Sequence, residues 1–257
     1  MPRYFIELTY KGTAYCGWQR QINAPSVQQT IEEGLSTLLK TTISIIGAGR
    51  TDTGVHAMFY VAHFDAPEIE DPADLAYHLN CLLPKDIAIF KIYQVSPQAH
   101  ARFDARYREY KYFITTRKDP FNRDLRWFLP YSLNIDSMQT AATKLMTYED
   151  FTSFARLHSD NKTNLCYIYK STWETSGDTI IFTVGANRFL RGMVRAMVGT
   201  IVDVGRGKLS VRQFQDILEA KDRSIASGAA PAEGLFLTDV KYDLSVPKPV
   251  AEDTKTE

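Results

Sequence analysis

Residues 43–64 read ISIIGAGRTDTGVHAMFYVAHF, and the order of elements in this stretch decides the fold. The run from Ile43 to Ile46 predicts a short apolar strand, and the alternation from Phe59 to Phe64 predicts a second strand. A glycine-rich loop, GAGRTDTG, joins the two strands without a helix between them. Two consecutive strands flanked by helices are typical of a β-α-β-β-α-β unit.

The segments on either side of these strands complete the unit. Arg3 to Tyr10 predicts the first strand, and apolar residues at helical spacing predict a helix from about Pro25. Asp71 and Pro72 are typical of the start of a second helix, and Ile87 to Val95 predicts the last strand. The first part of the chain is therefore predicted to be one β-α-β-β-α-β unit.

The same order of elements recurs in the second part of the chain. Its predicted elements are, in order, a strand from Tyr107 to Thr115, a helix near Asp136 to Met146, a hairpin from Tyr167 to Ala186, a helix from Phe189 to Asp203 and a strand from Leu235 to Tyr242. One further helix is inserted before the last strand. Ser210 and Gln213 predict its capping box.

This order predicts the α+β class, with two tandem β-α-β-β-α-β (ferredoxin-like) halves that form a mainly antiparallel sheet with a central active-site cleft. We expect an N-terminal half at residues 1–98, which carries the glycine-rich loop, and a C-terminal half at residues 99–243. Residues 244–257 are polar and contain Pro247 and Pro249, so they are predicted to be a disordered tail.

The composition is that of a folded protein in a reducing compartment. The chain has 257 residues, of which 44% are hydrophobic and 23% are charged, and no apolar run is long enough to cross a bilayer. The opening MPRYFIELTY alternates, unlike the apolar core of a signal peptide. Cys16, Cys81 and Cys166 lie too far apart to indicate a disulfide framework or a zinc site. We therefore expect a cytoplasmic protein without a metal.

The net charge is zero, yet the basic residues are clustered. Residues 102–126 contain eight basic and four acidic residues, with tyrosines and phenylalanines among them, and residues 187–212 contain six basic residues and one acidic residue. Basic stretches with aromatics favour a partner that is a polyanion with exposed bases, although solvated protein faces give the same pattern. Arg102 in the first stretch and Arg191 in the second are candidate RNA-binding residues.

Asp52 is the carboxylate of the glycine-rich loop, with Arg50 two residues before it and His56 four residues after it. Glycines permit positive φ and the close approach of a ligand, and an aspartate in such a turn can be aimed into a cleft. The alternative is an Asx-turn with a solvated side chain. His56 and His63 are predicted to be structural, since no metal-ligand spacing accompanies them.

Arg191 and Arg195 share one face of the predicted helix that follows Asn187. Gly192 and Gly199 neighbour Arg195 on the helix surface, so another segment of the chain could approach it closely. A buried guanidinium needs an anion, and an attraction to Asp52 at about 4 Å would be on the order of 4 kcal/mol with an effective dielectric near 20. The alternative is an arginine whose charged end reaches solvent.

The letters DTG at Asp52 to Gly54 also occur in aspartic peptidases. Peptidase chemistry needs two carboxylates that share a proton, and the chain has no second DTG or DSG. A homodimer could supply the second carboxylate, but Arg50 and Thr51 replace the apolar residues expected before the aspartate. A further alternative is a catalytically silent RNA-binding module, or a relative that acts on another RNA.

Four motifs follow one another along the chain: GAGRTDTGVHA at 47–57, HARFDARYREYKY at 100–112, NRFLRGMVRAMVG at 187–199 and AEGLFL at 232–237. With the opening TYKGTAYCGWQRQ at 9–21, they resemble the TruA-type tRNA pseudouridine synthases over almost the whole chain except its tail. The resemblance implies isomerisation of uridine to pseudouridine at positions 38, 39 and 40 of the tRNA anticodon stem-loop. It also implies an enzyme that uses no cofactor and acts as a homodimer.

The resemblance also implies roles for individual residues. Asp52 falls on the carboxylate nucleophile, and Tyr110 falls on the tyrosine that stacks on the target base. Arg195 falls on the arginine paired with the catalytic aspartate, Arg50 on the arginine that helps to extrude the base, and Leu235 on a residue that lines the pocket. The residue types alone leave another interpretation open, because Tyr110 and Leu235 lie in predicted strands and also fit core positions.

Overall fold

The computed structural model describes residues 1–156 and 162–242, over which the chain forms a nine-stranded sheet and five α-helices. The strands are β1 (Arg3–Tyr10), β2 (Ile45–Gly47), β3 (His56–Asp65), β4 (Ile87–Val95), β5 (Tyr107–Thr115), β6 (Trp127–Phe128), β7 (Ile168–Ser176), β8 (Thr179–Ala186) and β9 (Leu235–Lys241). The helices are α1 (Val27–Leu39), α2 (Pro72–Leu82), α3 (Ile135–Lys144), α4 (Met193–Gly205) and α5 (Val211–Ala220).

Four of the helices begin at polar side chains that satisfy their first backbone N–H groups, including α3, where the side chain of Asn134 accepts the N–H of Ser137. The hydroxyl of Ser26 caps α1, and the carboxylate of Asp71 caps α2, with Pro72 at the first helical position. Ser210 and Gln213 form a reciprocal capping box at α5. The helix starts predicted from Asp71 and from the Ser210–Gln213 pair are therefore confirmed.

The sheet has the strand order β4-β1-β3-β9-β5-β8-β7, with β2 paired to β3 and β6 paired to β5. The pairs β3–β9 and β5–β6 are parallel, and the other pairs are antiparallel. The predicted α+β class is confirmed, and the sheet is mixed and mostly antiparallel. A parallel alignment of β3 and β9 is possible because a long stretch of chain, not a tight turn, connects them.

Buried side chains form two hydrophobic clusters along this sheet. One cluster contains side chains of β1, β3, β4, α1 and α2, and the other contains side chains of β5, β7, β8, α3, α4 and α5. Strand β9 contributes to both clusters, and Tyr110 of β5 packs against both. The junction of the two clusters therefore lies beside β5 and β9, in the middle of the strand order.

Some predicted boundaries are wrong. Helix α4 begins at Met193 rather than at Phe189, because Gly192 has a φ of +71° that a right-handed helix cannot contain. Strand β2 begins at Ile45 rather than Ile43, and the two residues of β6 were too few to show a periodic pattern. The predicted tail at residues 244–257 lies outside the described residues.

Across the two described ranges, no helix combines the length and the apolar character needed to cross a membrane.

Candidate active site

The loop between β2 and β3 carries Asp52 and is held against the start of the chain. The carbonyl of Thr51 accepts a hydrogen bond from the N–H of Trp18 at 3.4 Å, and its hydroxyl bonds to the hydroxyl of Tyr10 at 2.9 Å. Gly17 has a φ of +85°, and a Cβ added there would lie 2.3 Å from the Thr51 carbonyl oxygen. The loop conformation therefore depends on a glycine in the opening motif, where any side chain would separate the two segments.

Asp52 forms ion pairs with two arginines of the segment that ends in α4. Its Oδ2 lies 3.5 Å from Nη1 of Arg195, and its Oδ1 lies 3.8 Å from Nε of Arg191. These distances exceed those of ordinary hydrogen bonds. The two guanidinium groups therefore balance the negative charge of the carboxylate, while its oxygens keep free lone pairs for a substrate. The side chain of Asp52 is 22% exposed. The predicted partner of Asp52 is thus found beside it, and Arg191 joins the pair.

Arg195 is held in place by the segment at residues 228–230. Its Nε donates to the carbonyl of Ala230 at 2.7 Å, and the N–H of Ala230 donates to the carbonyl of Arg195 at 2.9 Å. This approach requires Gly199, because a Cβ there would lie 2.0 Å from the carbonyl oxygen of Gly228. The close approach predicted from the small residues around Arg195 is therefore confirmed for Gly199.

A cleft of about 590 Å³ opens at Asp52. Its lining contains one carboxylate and four arginines, together with small and apolar residues: Asp52, Thr53, Phe154, Arg156, Arg191, Gly192, Arg195, Ala196, Arg223, Ser224 and Ala229. Several positive charges that share one concave surface attract an anionic ligand. The lining therefore has the charge of a site for an anionic ligand, with one carboxylate among its arginines.

Two of these arginines, Arg156 and Arg223, were not predicted as site residues. Arg156 follows the short 3-10 turn at Thr152–Phe154, and its N–H donates to the carbonyl of Arg191 at 3.2 Å. Arg223 lies in a short 3-10 turn after α5 and donates through Nη1 to the carbonyl of Ala226 at 3.1 Å. The sequence feature that could have indicated this part of the site is the stretch of small residues at 226–230, which is typical of a segment that packs closely on a helix.

Tyr110 lies on β5, paired with Val184 of β8 and Leu237 of β9. Its ring is partly buried and meets the ring of Phe189 edge to face, with 5.2 Å between the centroids. Burial raises the pKa of Tyr110 to about 12, and the negative charge of Asp52 adds to the rise. The phenol is therefore neutral at physiological pH, and its ring lies within electrostatic reach of the carboxylate.

The other predicted substrate-binding residues lie apart from the lining of the cleft. Arg50 is exposed near Asp52 in the chain, and within the described residues it forms no ion pair. Arg102 is also exposed, with its guanidinium 5.7 Å from the centroid of the Phe103 ring. Leu235 is 5% exposed and packs in the cluster of β5 and α4, where it pairs with Tyr112.

His56 and His63 have the environments of structural residues. Nδ1 of His56 accepts the N–H of Gly12 at 3.0 Å, and Nδ1 of His63 accepts the N–H of Ala101 at 3.1 Å. Burial lowers the pKa of His56, and it lowers the pKa of His63 to about 4. Among the described residues, no group of three or more His, Cys, Asp and Glu side chains is arranged to hold a metal ion.

Comparison with known proteins identifies the family. The model of the tRNA pseudouridine synthase family matches residues 8–107 and 141–243. tRNA pseudouridine synthase A of Parabacteroides distasonis is 54% identical over 243 residues, which are 94% of this chain and 96% of the relative. The enzyme of that name from Bacteroides thetaiotaomicron is 50% identical over 258 residues, 99% of this chain and 95% of the relative. The resemblance predicted from the motifs is thereby confirmed, and the chain belongs to the tRNA pseudouridine synthase family.

Proposed function

We propose that this protein isomerises uridine to pseudouridine at positions 38, 39 and 40 of the tRNA anticodon stem-loop, with Asp52 as the nucleophile and without a cofactor. The observation that carries the proposal is the pairing of Asp52 with Arg191 and Arg195 in an arginine-lined cleft. Family membership supports the reaction and the substrate, since the relatives are named tRNA pseudouridine synthase A.

The reaction breaks the bond between N1 of uracil and C1′ of the ribose, turns the base and joins C5 to C1′. The carboxylate of Asp52 is flanked by two guanidinium groups and can act as a nucleophile without an activating base. Its carboxylate can attack C1′, attack C6 of the base, or remove a proton to form a glycal. In each route C5 loses its proton to solvent and the freed N1 takes up a proton, so the product has the same composition as the substrate.

Tyr110 supplies the platform that retains the free base in this proposal. The ring is neutral, lies at the junction of the two hydrophobic clusters and is braced at its edge by Phe189. Stacking of a base on an aromatic ring contributes about 1–3 kcal/mol, which is comparable to the few kcal/mol needed to flip a base out of its stack. Leu235 of β9 is buried and pairs with Tyr112, two positions along β5 from Tyr110, and would line the pocket beside this platform.

The arginines give the site its affinity for RNA. Arg156 and Arg223 line the same cleft as Asp52, so they are placed to contact phosphates beside a flipped nucleotide. Arg50 is exposed close to Asp52 and would fill the space that the extruded base leaves. Arg102, outside the cleft, would contact the flanking stem.

We extend the proposal to the organisation of the molecule. The two halves at residues 1–98 and 99–243 are tandem ferredoxin-like units, which the strand orders β4-β1-β3-β2 and β9-β5-β8-β7 support. The protein acts in the cytoplasm as a homodimer, in accord with its tRNA substrate and its three unpaired cysteines. Sedimentation equilibrium tests the dimer, and a monomer at assay concentrations would overturn it.

A tritium-release assay tests the proposed substrate. Uridine labelled at C5 loses its tritium when C5 bonds to the ribose, so release reports isomerisation. We expect release from a tRNA transcript with uridines at positions 38–40 and none when these are cytidines. Equal release from the cytidine transcript, or from a ribosomal RNA fragment, would contradict the assigned positions. Tight tRNA binding without release would instead support a catalytically silent RNA-binding module.

A further inference from the structure

All N–H groups of the Arg108 guanidinium, on β5, donate hydrogen bonds to backbone carbonyls. Nε and Nη2 donate to the carbonyl of Ala48 at 3.2 and 2.9 Å, and Nη2 also donates to that of Arg102 at 2.7 Å. Nη1 donates to the carbonyls of Asn187 at 2.8 Å and Ala105 at 3.1 Å. These bonds account for the five donors of a guanidinium. Across the described residues, no carboxylate forms an ion pair with it.

The carbonyls that Arg108 contacts belong to separate parts of the candidate active site. Ala48 lies at the start of the loop that carries Asp52, and Asn187 lies at the start of the loop that leads to Arg191. Asn187 is itself fixed, because its side-chain Oδ1 accepts the N–H of Tyr167 at 2.8 Å and its own N–H donates to the Tyr167 carbonyl at 3.1 Å. The guanidinium thus joins two segments that are distant in sequence and that supply the opposite charges of the site.

Arg108 also lies beside the proposed base platform. Side chains two residues apart on a strand point to the same face, so Arg108 and Tyr110 share one face of β5. The positive charge of Arg108 opposes the rise that burial causes in the pKa of Tyr110, in keeping with this shared face. The guanidinium therefore bonds both to the loop that carries Asp52 and to the loop that leads to Arg191, and it lies on the same strand face as the proposed base platform.

We propose that Arg108 is a positioning residue, whose guanidinium sets the separation between the Asp52 loop and the loop that leads to Arg191 and Arg195. Burial lowers the pKa of Arg108, so its desolvation is unfavourable and is offset by its bonds to carbonyls. A lysine at this position keeps the charge but has three donors and no planar fork, so it cannot reach the same carbonyls together.

Single-turnover tritium release by Arg108→Lys and Arg108→Gln tests this assignment, which rests on the proposed role of Asp52. A misplacement of about 1 Å in an active site can lower a rate constant by up to about 100-fold. We expect the rate constant to fall between about 10-fold and 100-fold, while the dissociation constant for tRNA stays within about threefold. The amplitude of release should match the folded fraction, which circular dichroism measures.

Arg3→Lys is the matched control, because Arg3 is also a half-buried strand arginine, bonded to Asp65 at 2.7 Å and to the carbonyl of Ala99 at 3.0 Å. It does not line the cleft, so Arg3→Lys should keep the wild-type rate constant even if it lowers the melting temperature.

Two outcomes would overturn the positioning role of Arg108. One is a wild-type rate constant in both Arg108→Lys and Arg108→Gln, even if the amplitude of tritium release falls because less of the protein is folded. The other is a loss of folding in both variants, which would assign Arg108 to stability. Asp52→Asn in the same assay separates the two proposals. Tritium release at the wild-type rate by that variant would contradict the role of Asp52 as the nucleophile, independently of the result for Arg108.

Discussion

Asp52 is placed between two guanidinium groups without being enclosed by them. The contacts of 3.5 and 3.8 Å are close enough for strong attraction at reduced dielectric and too long for the short hydrogen bonds that would hold both carboxylate oxygens. Arg195 is the better anchored of the two arginines, since it is 24% exposed and also bonded to Ala230, whereas Arg191 is 53% exposed. Arg195 should therefore contribute most to the placement of the carboxylate.

Replacement of Arg195 should lower the rate of isomerisation more than the affinity for tRNA. In Arg195→Met the carboxylate loses its less exposed partner, and we expect a fall in the single-turnover rate constant of about 10²- to 10³-fold, as for the loss of one well-placed active-site donor. Arg212→Met is the control, because Arg212 is exposed and pairs with Asp216 within α5. A wild-type rate constant in Arg195→Met would contradict the pairing as a catalytic feature.

His63 should make stability depend on pH below neutrality. Its pKa is lowered to about 4 by burial, so between about pH 4 and 6.5 the unfolded chain binds one more proton than the folded chain. The free energy of unfolding should therefore be fully maintained above about pH 6.5 and should fall as the pH drops, by at most about 1.4 kcal/mol per pH unit.

Urea titrations at about pH 7 and about pH 5 measure this effect. His63→Gln keeps an acceptor for the N–H of Ala101 and removes the titration, so its loss of stability between the two pH values should be smaller than that of the wild type. His78→Gln, at an exposed histidine, should behave as the wild type. Equal losses in His63→Gln and the wild type would contradict the assignment.

Part of this residue-scale picture could be predicted from the sequence. The small residues at helical spacing around Arg195 left its pairing with Asp52 as one of two interpretations, and the motif resemblance implied that pairing. The roles of Arg156 and Arg223 could not be predicted, because each lies in or beside a short 3-10 turn whose position depends on tertiary packing. No periodic pattern marks such residues.

At the scale of elements, α4 and the segment at 228–230 form one support for the site. The helix is buried along most of its length and packs against α3 and α5. Its contact with the segment at 228–230 depends on Gly199, and its start depends on the positive φ of Gly192. The sequence predicted the helix but placed its start too early, since the apolar spacing continues through the preceding loop while the backbone does not.

Gly199→Ala should therefore affect both stability and catalysis. The added methyl would lie 2.0 Å from the Gly228 carbonyl oxygen, so the segment must move, at a cost of about 1–3 kcal/mol for overpacking. That movement would shift the Ala230 carbonyl that holds Arg195 and lower the rate constant. Gly228→Ala is the control, since an added Cβ there meets nothing within 4 Å. Equal melting temperatures for the two variants would contradict the close contact.

At the scale of the whole molecule, a neutral protein presents a cationic cleft. Formal charges cancel over the chain, while four arginines and one aspartate share the cleft. The α+β class and the order of elements could be predicted because they depend on local periodicity. The parallel pairing of β3 with β9 could not, because contacts between strands so distant in sequence leave no local pattern.

The cleft should make tRNA binding strongly dependent on salt despite the zero net charge. Each phosphate contact adds about 0.7–0.9 to the slope of log K against log salt, so Arg223→Gln should weaken binding and reduce the slope by about 1. Lys91→Gln on β4, away from the cleft lining, should leave the slope unchanged. Filter-binding titrations measure the affinity and its dependence on salt. A wild-type affinity that does not change with salt concentration would contradict binding through phosphate contacts.

The central claim is that the carboxylate of Asp52 is the group that reacts, and Asp52→Asn tests it most directly. The amide keeps the size of the side chain and removes its charge, so the loop and the cleft should persist. We predict no tritium release from tRNA labelled at uridine C5 above background, with a dissociation constant for tRNA within about threefold of the wild type, because phosphate contacts dominate affinity. Sustained release by Asp52→Asn would contradict the claim.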